Sequence, residues 1–295
     1  MTQVFHEPVM VEEVCQFLLR GDGVYVDATV GGGGHARVFL ERLGQNAVLV
    51  GIDRDREALE AARRNLCSFA PRVFLVHGRF SELRRILDSL GIPRVQGIFF
   101  DLGVSSWQLE EARRGFSFAK EGPLDMRMDA SCGKTAYELL HSLSEEELTD
   151  LFLRFGEERY ARRIARAIVT YRRQRPITTT TELATLVARV VPRRRIHPAT
   201  RVFMALRIAV NEELDELSKA LEQLPALLSE GGRVAVLSYH SLEDRLVKRF
   251  FRECPALRSI TKKPIFPSRE EVRRNPRARS ARLRVAEKVM LEGET

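Results

Sequence analysis

The sequence predicts an α/β fold, in which a parallel sheet is flanked by helices and interrupted by an inserted all-α segment. Short apolar, β-prone runs alternate with helical patterns four times before residue 105. Only helical patterns and one long loop follow, over residues 105–205. A β-prone run over 234–240 then resumes the first pattern. Such alternation is typical of strands joined by right-handed crossovers, which makes the sheet parallel.

The elements of the sheet region follow from these patterns. The predicted strands are 24–26, 47–52, 73–77, 96–100, 234–240, 258–263 and 281–289, and the predicted helices are 8–19, 35–43, 56–70 and 242–252. Ser81 is placed as the N-cap of a further helix that ends near Leu90. We therefore predict two domains, one made of 1–104 with 206–295 and one inserted helical domain over 105–205.

The inserted segment carries the first of two basic regions. Its predicted elements are an ordered loop over 107–130, helices over 144–155, 157–173 and 181–191, and a long helix that opens at Pro198 and passes Leu214. Residues 154–210 contain 14 arginines and no lysine against three acidic residues. Such a segment predicts a polyanionic partner, and RNA is the simplest one.

The second basic region lies near the C-terminus. Residues 245–288 contain 15 basic residues against four acidic ones, although the remainder of the chain outside the two basic regions is acidic. Within this region, 273–284 reads RRNPRARSARLR. We interpret it as a loop that is either disordered or in contact with RNA, and the run of arginines favours RNA contact.

The composition limits the classes of protein to which the chain can belong. The chain has 295 residues, 44% of them hydrophobic, and a formal net charge of +8. It contains no apolar run of about 18 residues, as a membrane helix would need, and no secretory signal is evident at its N-terminus. Four scattered cysteines without a C-x-x-C motif predict free thiols in a reducing cytoplasm.

A glycine loop follows the first predicted strand. Asp27 ends that strand, and four glycines occupy 31–34 before a helical pattern. Such a loop lets backbone N–H groups approach a ligand, beside the positive end of the next helix. With Asp53 after the second strand, it fits NAD and S-adenosylmethionine equally, and a plain turn that binds nothing is the remaining alternative. Asp27 favours the cationic S-adenosylmethionine.

Chemically useful residues follow several predicted strands. Asp27, Asp53, Phe80 and Asp101 each stand at or just after the end of a strand. Because ligands of parallel sheets bind outside the carboxyl ends of the strands, we expect these residues to line one site. Phe80 suits either an adenine face or the core, and the sequence leaves both open.

Longer blocks of the sequence carry a family resemblance. They are DATVGGGGH (27–35), GIDRD (51–55), DLGVSS (101–106), RGFSF (114–118), GPLDMRMD (122–129), HPATRVFMALRIAVNEEL (197–214), SYHSLEDRLVKRFF (238–251) and NPRARSARLRVAEK (275–288). Together they resemble the bacterial 16S ribosomal RNA cytosine-N4 methyltransferases, the small subunit methyltransferase H family. The resemblance implies the doubly wound, mostly parallel sheet of class I S-adenosylmethionine-dependent methyltransferases. It also implies methyl transfer to the exocyclic amine of a cytosine in the decoding region.

The resemblance also assigns cofactor residues. They are Gly33, Gly34, His35, Asp53, Phe80, Asp101 and Gln108. The implied roles are loop amides and His35 at the methionine end, Asp53 on the ribose hydroxyls and Phe80 on adenine. Asp101 and Gln108 are expected near the transferable methyl. The loop departs mildly from the family pattern, because it reads GGGG whereas some relatives have a bulkier residue at its second position.

Asp101 is the expected catalytic residue. It would accept a hydrogen bond from the target amine, and the open alternative is that it only contacts the cofactor. The expected RNA contacts are Trp107, Arg194, Arg195, Tyr239, Arg277 and Arg279, with Trp107 and Tyr239 as candidates to stack on a flipped base. His240 is expected as a helix-entry residue. No cluster has the spacing of metal ligands, so we expect no metal.

Two other functional classes remain open at this stage. An NAD-dependent oxidoreductase is supported by the glycine loop and Asp53, but it leaves the basic regions unexplained. A non-catalytic RNA-binding or ribosome-assembly protein would explain those regions, but not the intact loop and acids. The expected partner is 16S rRNA within the 30S subunit or a late precursor, without a membrane, and the sequence leaves monomer and homodimer open.

Overall fold

The structure is a computed structural model that describes residues 8–192 and 196–290. Its strands are β1 (Val24–Asp27), β2 (Val48–Asp53), β3 (Val73–His77), β4 (Val95–Asp101), β5 (Leu228–Ser238), β6 (Leu257–Ser259) and β7 (Arg282–Lys288). Its helices are α1 (Val11–Leu18), α2 (Gly34–Arg42), α3 (Arg56–Leu66), α4 (Leu83–Ser89), α5 (Ser106–Glu110), α6 (Ala136–Ser142), α7 (Glu145–Gly156), α8 (Ala161–Arg172), α9 (Thr180–Val190), α10 (Ala199–Asn211), α11 (Glu213–Leu227), α12 (Ser241–Glu253) and α13 (Arg269–Arg274).

The chain divides into two compact units. The first is Met1–Gly103 with Leu214–Thr295, and the second is Val104–Glu213. The first unit contains a seven-stranded sheet in the order β3-β2-β1-β4-β5-β7-β6. Strands β1 to β5 pair in parallel, and β7 is antiparallel to both β5 and β6. The predicted mostly parallel sheet is confirmed.

Helices cover both faces of this sheet. One core packs α1 and α2 against a face that includes Phe99, and the other packs α11 and α12 against the face that includes Phe100. These consecutive β4 residues belong to opposite faces because side chains alternate along a strand. Two buried faces give the doubly wound architecture that the resemblance implied.

The second unit is built from helices in its described part. Its core is formed by buried aliphatic and aromatic side chains of α6 to α10. Three of these helices start with a capping box, in which a Ser or Thr at the N-cap and a Glu three residues later bond each other's backbone N–H. Asn211 ties the preceding loop to α10, since its side chain binds the carbonyl of Met126 and the N–H of Met128.

Several predicted boundaries were wrong. Strand β5 begins at Leu228, six residues earlier than predicted, because Leu228 pairs with Val95 across an irregularity in the register. It ends at Ser238, so Tyr239 and His240 follow the strand. Ser81 is not an N-cap: it lies in a 3₁₀ turn over Phe80–Glu82, and its hydroxyl donates to Glu216.

Other differences concern the helical regions. The long helix after Pro198 is two helices, since Glu212 has a left-handed φ of 52° that ends α10. Helix α5 begins one residue before the predicted loop 107–130 and includes the first four residues of that loop. Helix α6 was not predicted. The segment 273–284 is not an extended loop, because α13 and a 3₁₀ turn over Pro276–Ser280 occupy most of it. In the described part of the chain, no helix is long and apolar enough to cross a bilayer, and the four cysteines are free thiols.

Candidate active site

The carboxyl edge of three neighbouring strands brings three carboxylates together. Strand β1 lies between β2 and β4, with Asp27 in register with Gly51 and Phe99. Asp27, Asp53 and Asp101 therefore end adjacent strands. This convergence follows from the strand order, which places the second and fourth strands of the chain on either side of the first.

The glycine loop is fastened to the end of β2. The Gly31 N–H donates to Oδ2 of Asp53 at 2.8 Å, and the Asp55 N–H donates to Oδ1 at 2.8 Å. Gly31 and Gly33 have φ of 52° and 85°, where a side chain is strained. Burial raises the pKa of Asp53 to about 6, against the lowering effect of these two donors.

Asp27 is part of the interior. Its exposed fraction is 1%, and its Oδ1 accepts the Thr29 N–H at 3.2 Å. Burial raises the pKa of Asp27 well above its usual value, and the nearby carboxylates of Asp101 and Asp53 add to this shift. A side chain so enclosed offers almost no surface to a ligand. The prediction that Asp27 favours a cationic cofactor is therefore not supported by a direct contact.

His35 opens α2 with a defined tautomer. Its Nε2 lies 2.9 Å from the carbonyl oxygen of Val9, which can only accept, so Nε2 carries the proton and donates. Burial lowers the pKa of His35 to about 4. The ring is therefore neutral at pH 7, with a lone pair on Nδ1. That atom lies 3.6 Å from Oδ2 of Asp101.

Asp101 is held from both sides at the end of β4. Its N–H donates to Oγ1 of Thr29 at 2.7 Å, and its Oδ1 accepts the hydroxyl of Tyr239 at 2.7 Å. The exposed fraction of the Asp101 side chain is 12%. Burial, followed by the charge of Asp101, raises the pKa of Tyr239 well above its usual value, so the phenol stays protonated and donates.

Sequence reasoning missed these two partners of Asp101. Thr29 and Tyr239 have ordinary local surroundings in the sequence, and only the pairing of β1, β4 and β5 brings them to Asp101. The sequence did contain one indication that Tyr239 belongs to the site, because this residue directly follows the strand that neighbours β4. It was predicted as a stacking residue, whereas the structure places its hydroxyl on Asp101. His240 caps α12, as expected for a helix-entry residue.

Phe80 has one side in the core and the other partly open. It begins the 3₁₀ turn after β3 and packs edge-to-face on Phe100, with ring centroids 5.7 Å apart and an angle of 86°. Its side chain is half-buried. Both sequence interpretations, core and adenine contact, are compatible with this position.

Gln108 and Trp107 belong to the second unit, on the short helix α5. Gln108 is buried and forms a capping box, with its Oε1 accepting the Ser105 N–H at 3.1 Å. Trp107 is covered by two guanidinium groups, since Arg113 and Arg114 lie 5.4 and 5.1 Å from its ring centroid. The proposed stacking of Trp107 on a base would have to compete with these cations.

The predicted RNA-contacting arginines are placed in part. Arg194 and Arg195 lie outside the described residues. Arg277 and Arg279 lie in the 3₁₀ turn over Pro276–Ser280, where Arg279 is exposed and Arg277 is half-buried. Only Arg279 of this pair has an exposed side chain in this structure.

Comparison with known proteins decides the family. The model of the MraW methylase family matches residues 3–289. The chain belongs to this family. It is similar to the ribosomal RNA small subunit methyltransferase H of Syntrophotalea carbinolica (53% identical, covering 95% of this chain and 96% of that protein). Proteins of the same name from Cyanothece sp. (52% identical, 99% and 97%) and Caldicellulosiruptor bescii (48% identical, 96% and 99%) are also similar.

Membership of the MraW methylase family confirms the resemblance and the predicted cofactor, S-adenosylmethionine. The residues at the carboxyl edge fit this group. A Cβ at Gly31 would meet only the carbonyl of Thr29, at 3.9 Å, so the loop leaves room for a ligand there. Each oxygen of Asp53 accepts one N–H and keeps a lone pair for a hydroxyl. Nδ1 of His35 is an acceptor that suits an ammonium group.

Proposed function

We propose that this protein transfers a methyl group from S-adenosylmethionine to the exocyclic N4 amine of a cytosine in the decoding region of 16S rRNA. The transfer is direct, without a covalent enzyme intermediate. The observation that carries the proposal is the similarity, over nearly the full length of the chain, to proteins named ribosomal RNA small subunit methyltransferase H. The cytosine and its N4 atom come from the resemblance of the sequence blocks alone.

The cofactor residues have roles that agree with their local chemistry. Asp53 accepts from the ribose hydroxyls, and Phe80 offers the open side of its ring to adenine. The N–H of Gly33 donates to the carbonyl of Val30 at 2.8 Å, so Gly33 gives the cofactor room for a close approach. Gly34 contributes its backbone N–H at the start of α2, and His35 accepts through Nδ1 at the methionine end. Gln108 is assigned by the resemblance alone. When bound, the cofactor supplies an electrophilic methyl group on a sulfonium.

Asp101 prepares the target amine. The lone pair of a cytosine amine is delocalised into the ring, so the amine is a poor nucleophile. A carboxylate that accepts a hydrogen bond from its N–H favours the pyramidal nitrogen that can attack. Tyr239 donates its hydroxyl to Oδ1 of Asp101, which supports the carboxylate that would accept this bond. Holding the amine in line contributes the larger part of the rate, since the reaction needs orientation and no covalent nucleophile.

The basic regions support an RNA substrate. We propose that the helical unit, together with the turn that carries Arg277 and Arg279, binds the RNA backbone. Trp107 contributes a stacking surface where its guanidinium partners allow it. The substrate is the 30S subunit or a late precursor in the cytoplasm, and the protein acts as a monomer or a homodimer.

The test is methyl transfer from labelled S-adenosylmethionine to 30S particles that lack the modification, followed by digestion of the RNA to nucleosides. We expect label in N4-methylcytidine, which Asp101→Ala abolishes. The matched control is Asp88→Ala, which removes an exposed aspartate of α4 and should leave transfer intact. Label in another nucleoside would overturn the target, and binding of NAD in place of S-adenosylmethionine would overturn the reaction.

A further inference from the structure

Helix α8 has one buried face and one strongly basic face. The 12 residues of α8 include four arginines and no acidic residue. Its buried side chains are Ala161, Ile164, Ala165, Ile168 and Val169. Arg162, Arg163 and Arg173, the last one residue past the helix end, are exposed on the other side. We call these three residues the α8 arginine face.

The start of α8 departs from the pattern of its neighbours. Helices α6, α7 and α9 of the same unit each begin with a side-chain cap and an acidic first turn. Helix α8 begins at Tyr160 without a side-chain cap, and its first turn carries Arg162 and Arg163 in place of acids. Positive charge there opposes the helix dipole, which lowers stability by a few tenths of a kcal/mol or more.

Like charges also repeat along this surface. Arg162 and Arg166 of α8 are four residues apart, a spacing at which like charges on a helix repel. Arg166 is relieved by Glu145, with Nε and Oε1 3.2 Å apart. Among the described residues, no carboxylate lies within 4.0 Å of the guanidinium groups of Arg162, Arg163 or Arg173. No ion pair within the described chain therefore compensates the charge of these three arginines.

We propose that the α8 arginine face binds the phosphate backbone of the small-subunit rRNA; this rests on the proposed function. Local rules are broken in this way where another requirement outweighs stability. A polyanion balances the uncompensated charge. Arginine makes bidentate contacts with phosphate oxygens. The 11-residue separation of Arg162 and Arg173 spans roughly 16 Å along the helix, so contacts to several phosphates are possible.

The test compares two triple variants with the same loss of charge. The first removes the face with Arg162→Ala, Arg163→Ala and Arg173→Ala. The control removes three helical arginines of the first unit with Arg63→Ala, Arg84→Ala and Arg85→Ala, each of which has an acidic partner three or four residues away. Affinity for transcribed 16S rRNA is measured at several salt concentrations. Calorimetric binding of S-adenosylmethionine checks that both variants keep the sheet unit intact.

We expect the first variant to bind RNA at least about tenfold more weakly, with the slope of log affinity against log salt reduced by about 2. The control should change the slope by less than about 1. The Tm of the first variant should stay level or rise, because alanine removes the repulsion and favours a helix. A merely structural role would lower the Tm.

Equal losses of RNA affinity in the two variants would overturn the proposal. Wild-type affinity of the first variant for naked RNA, with lost binding to 30S particles, would also overturn it, because that pattern indicates an acidic protein partner. If the wild-type protein binds RNA through this face but transfers no methyl group, the proposed function is wrong. The assignment of the α8 arginine face as an RNA-binding surface would remain valid.

Discussion

The hydroxyl of Tyr239 donates a 2.7 Å hydrogen bond to Oδ1 of Asp101, across 138 residues of sequence. The two residues stand at the ends of β5 and β4, which are neighbours in the sheet. The bond gives the Asp101 carboxylate a phenol donor from the neighbouring strand. It links the candidate catalytic residue to the strand that follows the helical unit.

Removing this hydroxyl should slow catalysis. In Tyr239→Phe, we expect kcat to fall by roughly 10- to 100-fold, because a hydrogen bond to a charged group contributes about 1.5–3 kcal/mol. The Kd for S-adenosylmethionine should change by less than about threefold. Tyr137→Phe, at an exposed position, is the control, and a wild-type kcat in Tyr239→Phe would contradict this role.

Binding of the cofactor should depend on the protonation of Asp53. Because the pKa of Asp53 is raised to about 6, the carboxylate becomes protonated as the pH falls through 6 and accepts less well from hydroxyls. We expect the affinity for S-adenosylmethionine to fall below pH 6, by up to about tenfold per pH unit for one proton. Calorimetry between pH 5 and 8 measures this. Asp53→Asn should bind S-adenosylmethionine weakly at every pH and show no pH dependence. If the variant keeps the pH dependence, another group is responsible for it.

Stability should depend on His35 in acid. The folded pKa of His35, about 4, lies below its ordinary value of 6.5, so the unfolded chain binds the proton first as the pH falls. The stability supplied by neutral His35 is therefore present above pH 6.5 and is lost between 6.5 and 4. Relative to His35→Gln, wild type should lose on the order of 2 kcal/mol of unfolding free energy between pH 7 and 4.5. Urea unfolding at both pH values measures the difference, and a constant difference would contradict the assignment.

The glycine loop should tolerate a side chain poorly at Gly33. In Gly33→Ala, the left-handed φ of 85° is strained and the new Cβ lies 3.1 Å from Cγ of Leu66. We expect a loss of about 2 kcal/mol in unfolding free energy. Gly91→Ala is the matched control, because its φ is 69° but no atom lies within 4 Å of the new Cβ. Gly91→Ala should lose about 1 kcal/mol of unfolding free energy. Equal losses in the two variants would show that Leu66 moves away from the new Cβ without an energetic cost.

Much of the first unit could be predicted because its signals are local. The boundaries of β3 were predicted to the residue, and β1 and β2 to within one, since apolar runs and a glycine loop mark a buried strand and its end. The helix predicted over 144–155 corresponds to α7, whose N-cap is Ser144, because a capping box is readable from four consecutive residues. Two of the wrong predictions depended on distant partners. The start of β5 depends on Val95, and the position of Ser81 depends on Glu216.

By itself, the sequence determined the order of the strands along the chain, the glycine loop, and the location of Asp53, Phe80 and Asp101 at strand ends. These features depend on residues close together in the chain. Only the tertiary structure decided that Asp27 is enclosed, that His35 carries its proton on Nε2, and that Tyr239 binds Asp101. Burial and hydrogen-bond partners come from groups far apart in the sequence, which meet only when the strand order brings β1, β4 and β5 side by side.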